Sequence, residues 1–199
     1  MSNAFAIVEA FETALAEFSG ARYAVAVNTG TSAIFLSLAY EYQRAGALEI
    51  ICPAHTFVSV PMAVKHAGHK LVLHDIAWNG AYRLEPSSVI DGALRFKRGM
   101  YQRGLHCLSF HARKLLNIGE GGAVLTDDAE AAAWLRRARY SGRDAANGYK
   151  IENVNMLGWQ LYMVPEKAAR GLHLMEYIAD DLPDQVIAYN DLRECPVFQ

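Results

Sequence analysis

Along the first forty residues the apolar positions change period twice. Phe5, Val8, Phe11, Leu15 and Phe18 recur at three- and four-residue intervals, which predicts one helix face, and Gly20 ends it. Tyr23 to Val27 is a continuous apolar run, short enough for a buried strand. Asn28-Thr29-Gly30-Thr31-Ser32 reads as a turn, and Ala33 to Ala45 as the next helix. The alternation then continues. Glu49 to Cys52 and Lys70 to Ile76 are predicted strands, with a helix from Phe57 to Ala67 between them whose first turn tolerates Pro61. Trp78 to Pro86 is expected as loop and Ser87 to Phe96 as a short helix. Leu105 to Phe110 and Gly122 to Thr126 are further strands, separated by a loop that contains Lys114. Thr126-Asp127-Asp128 caps a helix running to about Tyr140. Ser141 to Asn155 is polar and reads as a surface loop. Val164 to Leu182 is a helix with Pro165 in its first turn, and Gln185 to Leu192 is a last short one.

Strands alternating with helices imply an α/β domain, with a mostly parallel sheet of about five strands flanked by helices. Ligands of such sheets bind beyond the carboxyl ends of the strands. Asn28–Ser32, Pro53–Phe57 and His111–Gly122 all fall there. The organisation expected is a main domain over residues 1–140 and a loop with a helical remnant over 141–199.

Composition narrows the class. The 199 residues are 52% hydrophobic with a formal net charge of −2, so nothing draws the chain to nucleic acid. Two basic clusters, Arg95/Lys97/Arg98/Arg103 and Arg136/Arg137/Arg139/Arg143, read either as solvated faces or as a rim attracting a phosphorylated substrate. Cys52, Cys107 and Cys195 have neither disulfide nor metal spacing, and no metal site is expected. No run approaches the roughly 18 apolar residues of a membrane span. The expectation is a soluble, cytoplasmic protein without membrane or nucleic-acid partners.

Two segments carry candidate chemistry. Thr29-Gly30-Thr31-Ser32 joins a strand to a helix N-terminus, where free amides and the helix dipole favour an anion such as phosphate. A plain helix cap has the same composition. Lys114 follows an inner strand and can face the same crevice. With Arg113 and His111 nearby its ammonium form is disfavoured, which suits Schiff-base chemistry.

The string SFHARKLLNIGEGGAVLTDD closely resembles the lysine segment of the DegT/DnrJ/EryC1/StrS aminotransferases, a pyridoxal-phosphate (PLP) family of fold type I. FETALAEFSGARYAVAVNTGTSAIFLSLA resembles the family's first helix, first strand and phosphate turn. ICPAHTFVSVPMAVKHAGHKLVLHDI resembles its second and third strands, and LGWQLYMVPEKAARGLHLMEYI the segment after the lysine strand. The resemblance covers about residues 6–178. It implies a reduced fold-type I large domain, with PLP as cofactor and Lys114 as the Schiff-base lysine and proton shuttle. By the same resemblance Gly30, Thr31 and Ser32 bind the cofactor phosphate, Ser109 hydrogen-bonds it, and Phe57 stacks on the ring. His111 and Glu120 support the lysine loop. It further implies a small-molecule substrate, of the nucleotide-sugar class, and a homodimer.

The chain also departs from the family. Only Ala77 to Gly104 connects the third strand to the lysine strand, where the family has two more strands. Those carry an aspartate that pairs with the pyridine nitrogen and a nearby glutamine. No Asp-x-Ala-Gln-like motif is expected anywhere in the chain, and Asp75 is the candidate substitute. Gln160 and Tyr162 stand where the family has Asn and Arg, and little of the small C-terminal domain follows Leu182. The flanking strands are expected to close over the missing block. The alternatives to an active aminotransferase are a reduced relative that binds PLP or phosphate without efficient transamination, and an interaction scaffold.

Overall fold

The computed structural model describes residues 5–144, 154 and 156–199. Part of the polar stretch 141–155 therefore lies outside the described residues. The helices are α1 (Ala6–Ser19), α2 (Gly30–Ala45), α3 (Ser59–His66), α4 (Ala129–Ala138) and α5 (Pro165–Met175). The strands are β1 (Tyr23–Val27), β2 (Glu49–Pro53), β3 (Lys70–His74), β4 (Tyr82–Arg83), β5 (Val89–Asp91), β6 (Leu105–Ser109) and β7 (Gly122–Thr126).

Among the described residues there is a five-stranded sheet in the order β1-β7-β6-β5-β4 and a parallel pair, β2-β3. The five-stranded sheet corrects the expectation of a mostly parallel one. Its β5–β6 pairing is parallel, whereas β1–β7, β6–β7 and β4–β5 are antiparallel. The reason is local: β7 runs backwards between β1 and β6, and β4 turns straight into β5. Strand direction is nonetheless shared by β1, β5 and β6. Their carboxyl ends lie on one rim.

The connection from Ala77 to Gly104 is not loop and helix. Residues 82–91 form a small hairpin whose turn holds the cis peptide Glu85–Pro86. The segment expected to be helical, Ser87 to Phe96, supplies β5 instead. One antiparallel bridge, Ile51 to Glu85, ties this hairpin to β2. The flanking strands thus do not meet. The hairpin lies between β6 and β2, pairing with β6 at Leu105, His106 and Cys107 and with β2 through the one bridge. The bridge also fixes β2 and β3 to run in the same sense as β5, which brings Pro53–Phe57 to the common rim.

Side chains alternate between two cores, as strand geometry requires. Val25, Val27 and Val124 face a core shared with α2, α3 and α4. Ala24, Ala26 and Leu125 face one shared with α1 and α5. The helix expected from Val164 to Leu182 ends at Met175, and no helix forms over 185–191. That stretch lies extended across the rim, bonded there by Gln185 N–H to the Leu94 carbonyl and Leu192 N–H to the Ala54 carbonyl.

Glu12 on α1 is a charged residue inside this framework, 4% exposed. It accepts from Ala26 N–H at 2.8 Å and pairs with Arg136 of α4 and with Arg139, which follows that helix. Removing one partner of a buried pair leaves the other charge uncompensated. Glu12→Ala is therefore expected to cost about 3 kcal/mol in urea-unfolding free energy.

Candidate functional site

The turn after β1 is built by Thr29. Its Oγ1 accepts from Ser32 N–H at 3.0 Å and lies 2.8 Å from Ser32 Oγ, which caps α2. Ser32 N–H is thereby engaged. The Gly30 and Thr31 amides belong to the first helical turn, where no intrahelical acceptor exists. Thr31 Oγ1 donates to Ser59 Oγ at 2.8 Å, linking the turn to α3.

Ser109, at the carboxyl end of β6, closes against this turn. A Cβ on Gly30 would lie 2.7 Å from Ser109 Cβ, closer than real contacts allow. A Cβ on Gly122 would collide with the Thr29 carbonyl. Gly30 therefore lets the turn touch β6 at Ser109, and Gly122 lets β7 touch the turn at Thr29. The result is a cradle of open amides with a serine hydroxyl beside it.

Lys114 sits in the loop beyond Ser109 and is partly buried. Lys114 N–H donates to the His111 carbonyl, Ala112 N–H to Gly119 and Phe110 N–H to Gly121, which fixes the loop by its backbone. His111 is exposed; its Nδ1 accepts from Arg113 N–H, a loop-shaping contact. Gln185 of the extended C-terminal stretch donates to the Arg113 carbonyl at 2.9 Å and holds the loop from outside. Desolvation lowers the Lys114 pKa, and the negative charge of Asp91 opposes the shift. A lowered pKa increases the neutral amine, the nucleophilic form.

Asp91 was not among the residues expected here. It ends β5, is buried, and its charge is felt at Lys114. Oδ1 accepts from Ala93 N–H at 2.9 Å and Oδ2 from the Tyr82 hydroxyl at 2.9 Å. An ionised carboxylate has about four acceptor positions, so capacity remains for a further donor. Desolvation raises its pKa, partly offset by those two hydrogen bonds and by Lys114. The signal in the sequence was Asp91-Gly92-Ala93-Leu94, an Asp-x-Ala with Leu94 in place of glutamine. Asp75, the expected substitute, instead has a side chain 70% exposed, 4.0 Å from His55.

Phe57 lies on the same rim and is 56% exposed. Its neighbour Thr56 is buried against Tyr82. Gln160 accepts from Ser141, and Tyr162 packs edge-on against Phe5 and Tyr140 beside the end of β1. Four of the eight basic residues in the two clusters are engaged in ion pairs: Arg95 with Asp184, Arg98 with Asp180, and Arg136 and Arg139 with Glu12. No group of three or more His, Cys, Asp or Glu side chains placed to hold a metal occurs among the described residues. Nor is any described helix long and apolar enough to cross a membrane.

Comparison with known proteins shows the family of the chain. The model of the DegT/DnrJ/EryC1/StrS aminotransferase family matches residues 3–91 and 98–185. The chain is 27% identical to the spore coat polysaccharide biosynthesis protein SpsC of Bacillus subtilis, over 87% of this chain and 57% of that protein. It is 26% identical to the GDP-perosamine synthase of Caulobacter vibrioides, over 88% of this chain and 58% of that protein. The chain thus spans a little under three fifths of the curated relatives it matches. The first alignment runs over 223 positions against 199 residues here, so the relative carries stretches with no counterpart in this chain. A solved PLP-dependent aminotransferase structure from Bacillus cereus superposes with a TM-score of 0.73 at 21% identity, over 87% of this chain and 59% of that one, which is a likeness of fold.

Proposed function

Because this chain belongs to the DegT/DnrJ/EryC1/StrS aminotransferase family, we propose that it is a PLP-dependent aminotransferase whose Schiff-base lysine is Lys114 and whose acceptor is a sugar-linked or small keto compound. The observation that carries this reading is a convergence on one rim: an amide cradle at Gly30 and Thr31, the Ser109 hydroxyl, a half-buried lysine and a buried carboxylate. The set fits the cofactor's chemistry. Phosphate suits the open amides and serine, the aldehyde suits a neutral amine, and a protonated ring nitrogen suits Asp91. When bound, PLP supplies an electrophilic carbon for the amine and a ring that withdraws electrons from the substrate α-carbon.

The protein residues divide the remaining work. Gly30, Thr31 and Ser109 anchor the phosphate, with Ser32 bracing the turn through Thr29. Phe57 would cover the ring and limit water. Asp91 would keep the ring nitrogen protonated, its own burial being compensated by that cation. Lys114 would hold the cofactor and move a proton at the substrate α-carbon. In this reading the domain over residues 1–140 carries the site, and Lys167 and Gln185 of the segment after it touch the lysine loop. The nucleotide-sugar class of the acceptor is supported by the GDP-perosamine synthase relative. A second copy is the expected partner; Leu157, 91% exposed, and Trp159 lie on a face suited to it.

The test is a PLP titration of the whole chain followed by visible absorbance, then a panel of amino acids. A saturable band that a donor amino acid converts supports the reading. A folded protein with no band refutes it and favours the scaffold.

A further inference from the structure

Tyr82 and Asp91 face each other in the register of β4 and β5. Both belong to the small hairpin that stands where the family has two longer strands. Tyr82 has one hydroxyl proton, and it goes to Asp91 Oδ2. The Thr56 hydroxyl, 2.5 Å from the Tyr82 oxygen, is therefore the donor in that second bond. All three side chains are buried. Thr56 precedes Phe57, so one polar chain runs from the ring-covering segment through the hairpin to the carboxylate.

We propose that Tyr82 is a positioning residue for the reaction: backed by Thr56, it keeps the Asp91 carboxylate ionised and aimed at the cofactor ring nitrogen. This rests on the reading above that Asp91 meets that nitrogen. A buried carboxylate resists ionisation, and a hydrogen bond to the charged form opposes that resistance. The Ala93 amide fixes one carboxylate oxygen and Tyr82 the other, so the plane of the group cannot turn freely. The other titratable groups whose charge is coupled to Asp91 are the Cys52 thiol of β2, the Cys107 thiol of β6, Tyr189 of the extended C-terminal stretch and Lys114. Burial holds both thiols and Tyr189 neutral well above physiological pH, leaving Lys114 as the basic group whose charge meets Asp91. None of them supplies the hydrogen bond that Tyr82 supplies.

Tyr82→Phe keeps the ring, which packs on Trp78 with centroids 4.6 Å apart, and removes only the hydroxyl. The measurement is made on the PLP-loaded full chain. Its readouts are the PLP dissociation constant and the midpoint of the pH titration of the Lys114-dependent absorbance band. With Asp91 less often ionised the ring nitrogen carries its proton less often. Losing that positive charge raises the pKa of the lysine-linked nitrogen that the band reports. The expected result is a midpoint displaced upward by about one pH unit and a dissociation constant about tenfold larger. Thr56→Val, which removes only the outer donor, is expected to shift both readouts the same way by less. In an Asp91→Asn background Tyr82→Phe should add nothing, because its effect runs through the carboxylate.

A wild-type band together with a Tyr82→Phe protein matching it in midpoint and affinity overturns the proposal and leaves the aminotransferase reading intact. If Tyr82→Phe does not fold, an unshifted Thr56→Val overturns it in the same way. A wild-type protein with no band fails the aminotransferase reading itself, and the role of Tyr82 falls with it.

Discussion

Lys114→Ala is expected to leave a folded protein that no longer develops the visible PLP band and whose amino-group transfer falls by at least about 10^4-fold, since one side chain serves as both nucleophile and proton carrier. The backbone of its loop is held by the Lys114 N–H to His111 bond and by the Gln185 tether, neither of which uses the lysine side chain. The amide cradle and Ser109 are also untouched. PLP should therefore still bind, but only through noncovalent contacts and more weakly. Rapid dialysis with absorbance and fluorescence separates these effects: residual PLP association without the band is the predicted pattern. Full retention of the band in the variant would place the attachment on another amine.

Asp91→Asn carries the second large effect. Asparagine keeps an oxygen that can accept from Tyr82 or the Ala93 amide, and its volume is nearly the same. What disappears is the negative charge. Turnover is expected to fall about 10^2- to 10^3-fold, the order found when one preorganised electrostatic partner of a transition state is removed. Stability should move the other way. The folded pKa of Asp91 is raised, mainly by desolvation, so the fold favours the protonated form. Its contribution to stability is thus fully present below the unfolded-state pKa and is lost as pH rises through the folded value. In the cofactor-free protein Asp91→Asn removes that loss. Urea unfolding should show the variant equal to wild type in acid and more stable at neutral pH. A residue that weakens the empty fold and strengthens the reaction is what a functional carboxylate looks like, and equal stability at both pH values would argue against it.

The parts of the fold that were readable carry long, periodic or capped signals. The α1 stripe of Val8, Phe11 and Leu15 packs as its spacing requires, and Thr29 caps α2 as a turn threonine should. The convergence of Asn28–Ser32, Pro53–Phe57 and His111–Gly122 on one rim followed from strand–helix alternation, and the direction of β1, β2 and β6 agrees with it. The hairpin was not readable. Strands of two and three residues are too short to display alternation, and Ser87-Ser88 before an apolar run imitates a helix start. With the hairpin went Asp91, because Leu94 replaces the glutamine of the family's motif and because Ser87 to Phe96 reads as a helix. The sense of the sheet was misjudged for a related reason: pairing partners depend on where β7 inserts, a long-range choice no local pattern encodes. The extended stretch over 185–191 is held by tertiary bonds at Leu94 and Ala54 rather than forming the helix its local pattern suggests.

The central claim is that a cofactor aldehyde joins this chain at one lysine. Borohydride reduction of the PLP-loaded protein makes that bond permanent, and peptide mass mapping locates it. The predicted result is a single phosphopyridoxyl adduct on Lys114, formed in proportion to the visible band. Adducts spread over Lys65, Lys70 and Lys97 with none on Lys114 would contradict the account.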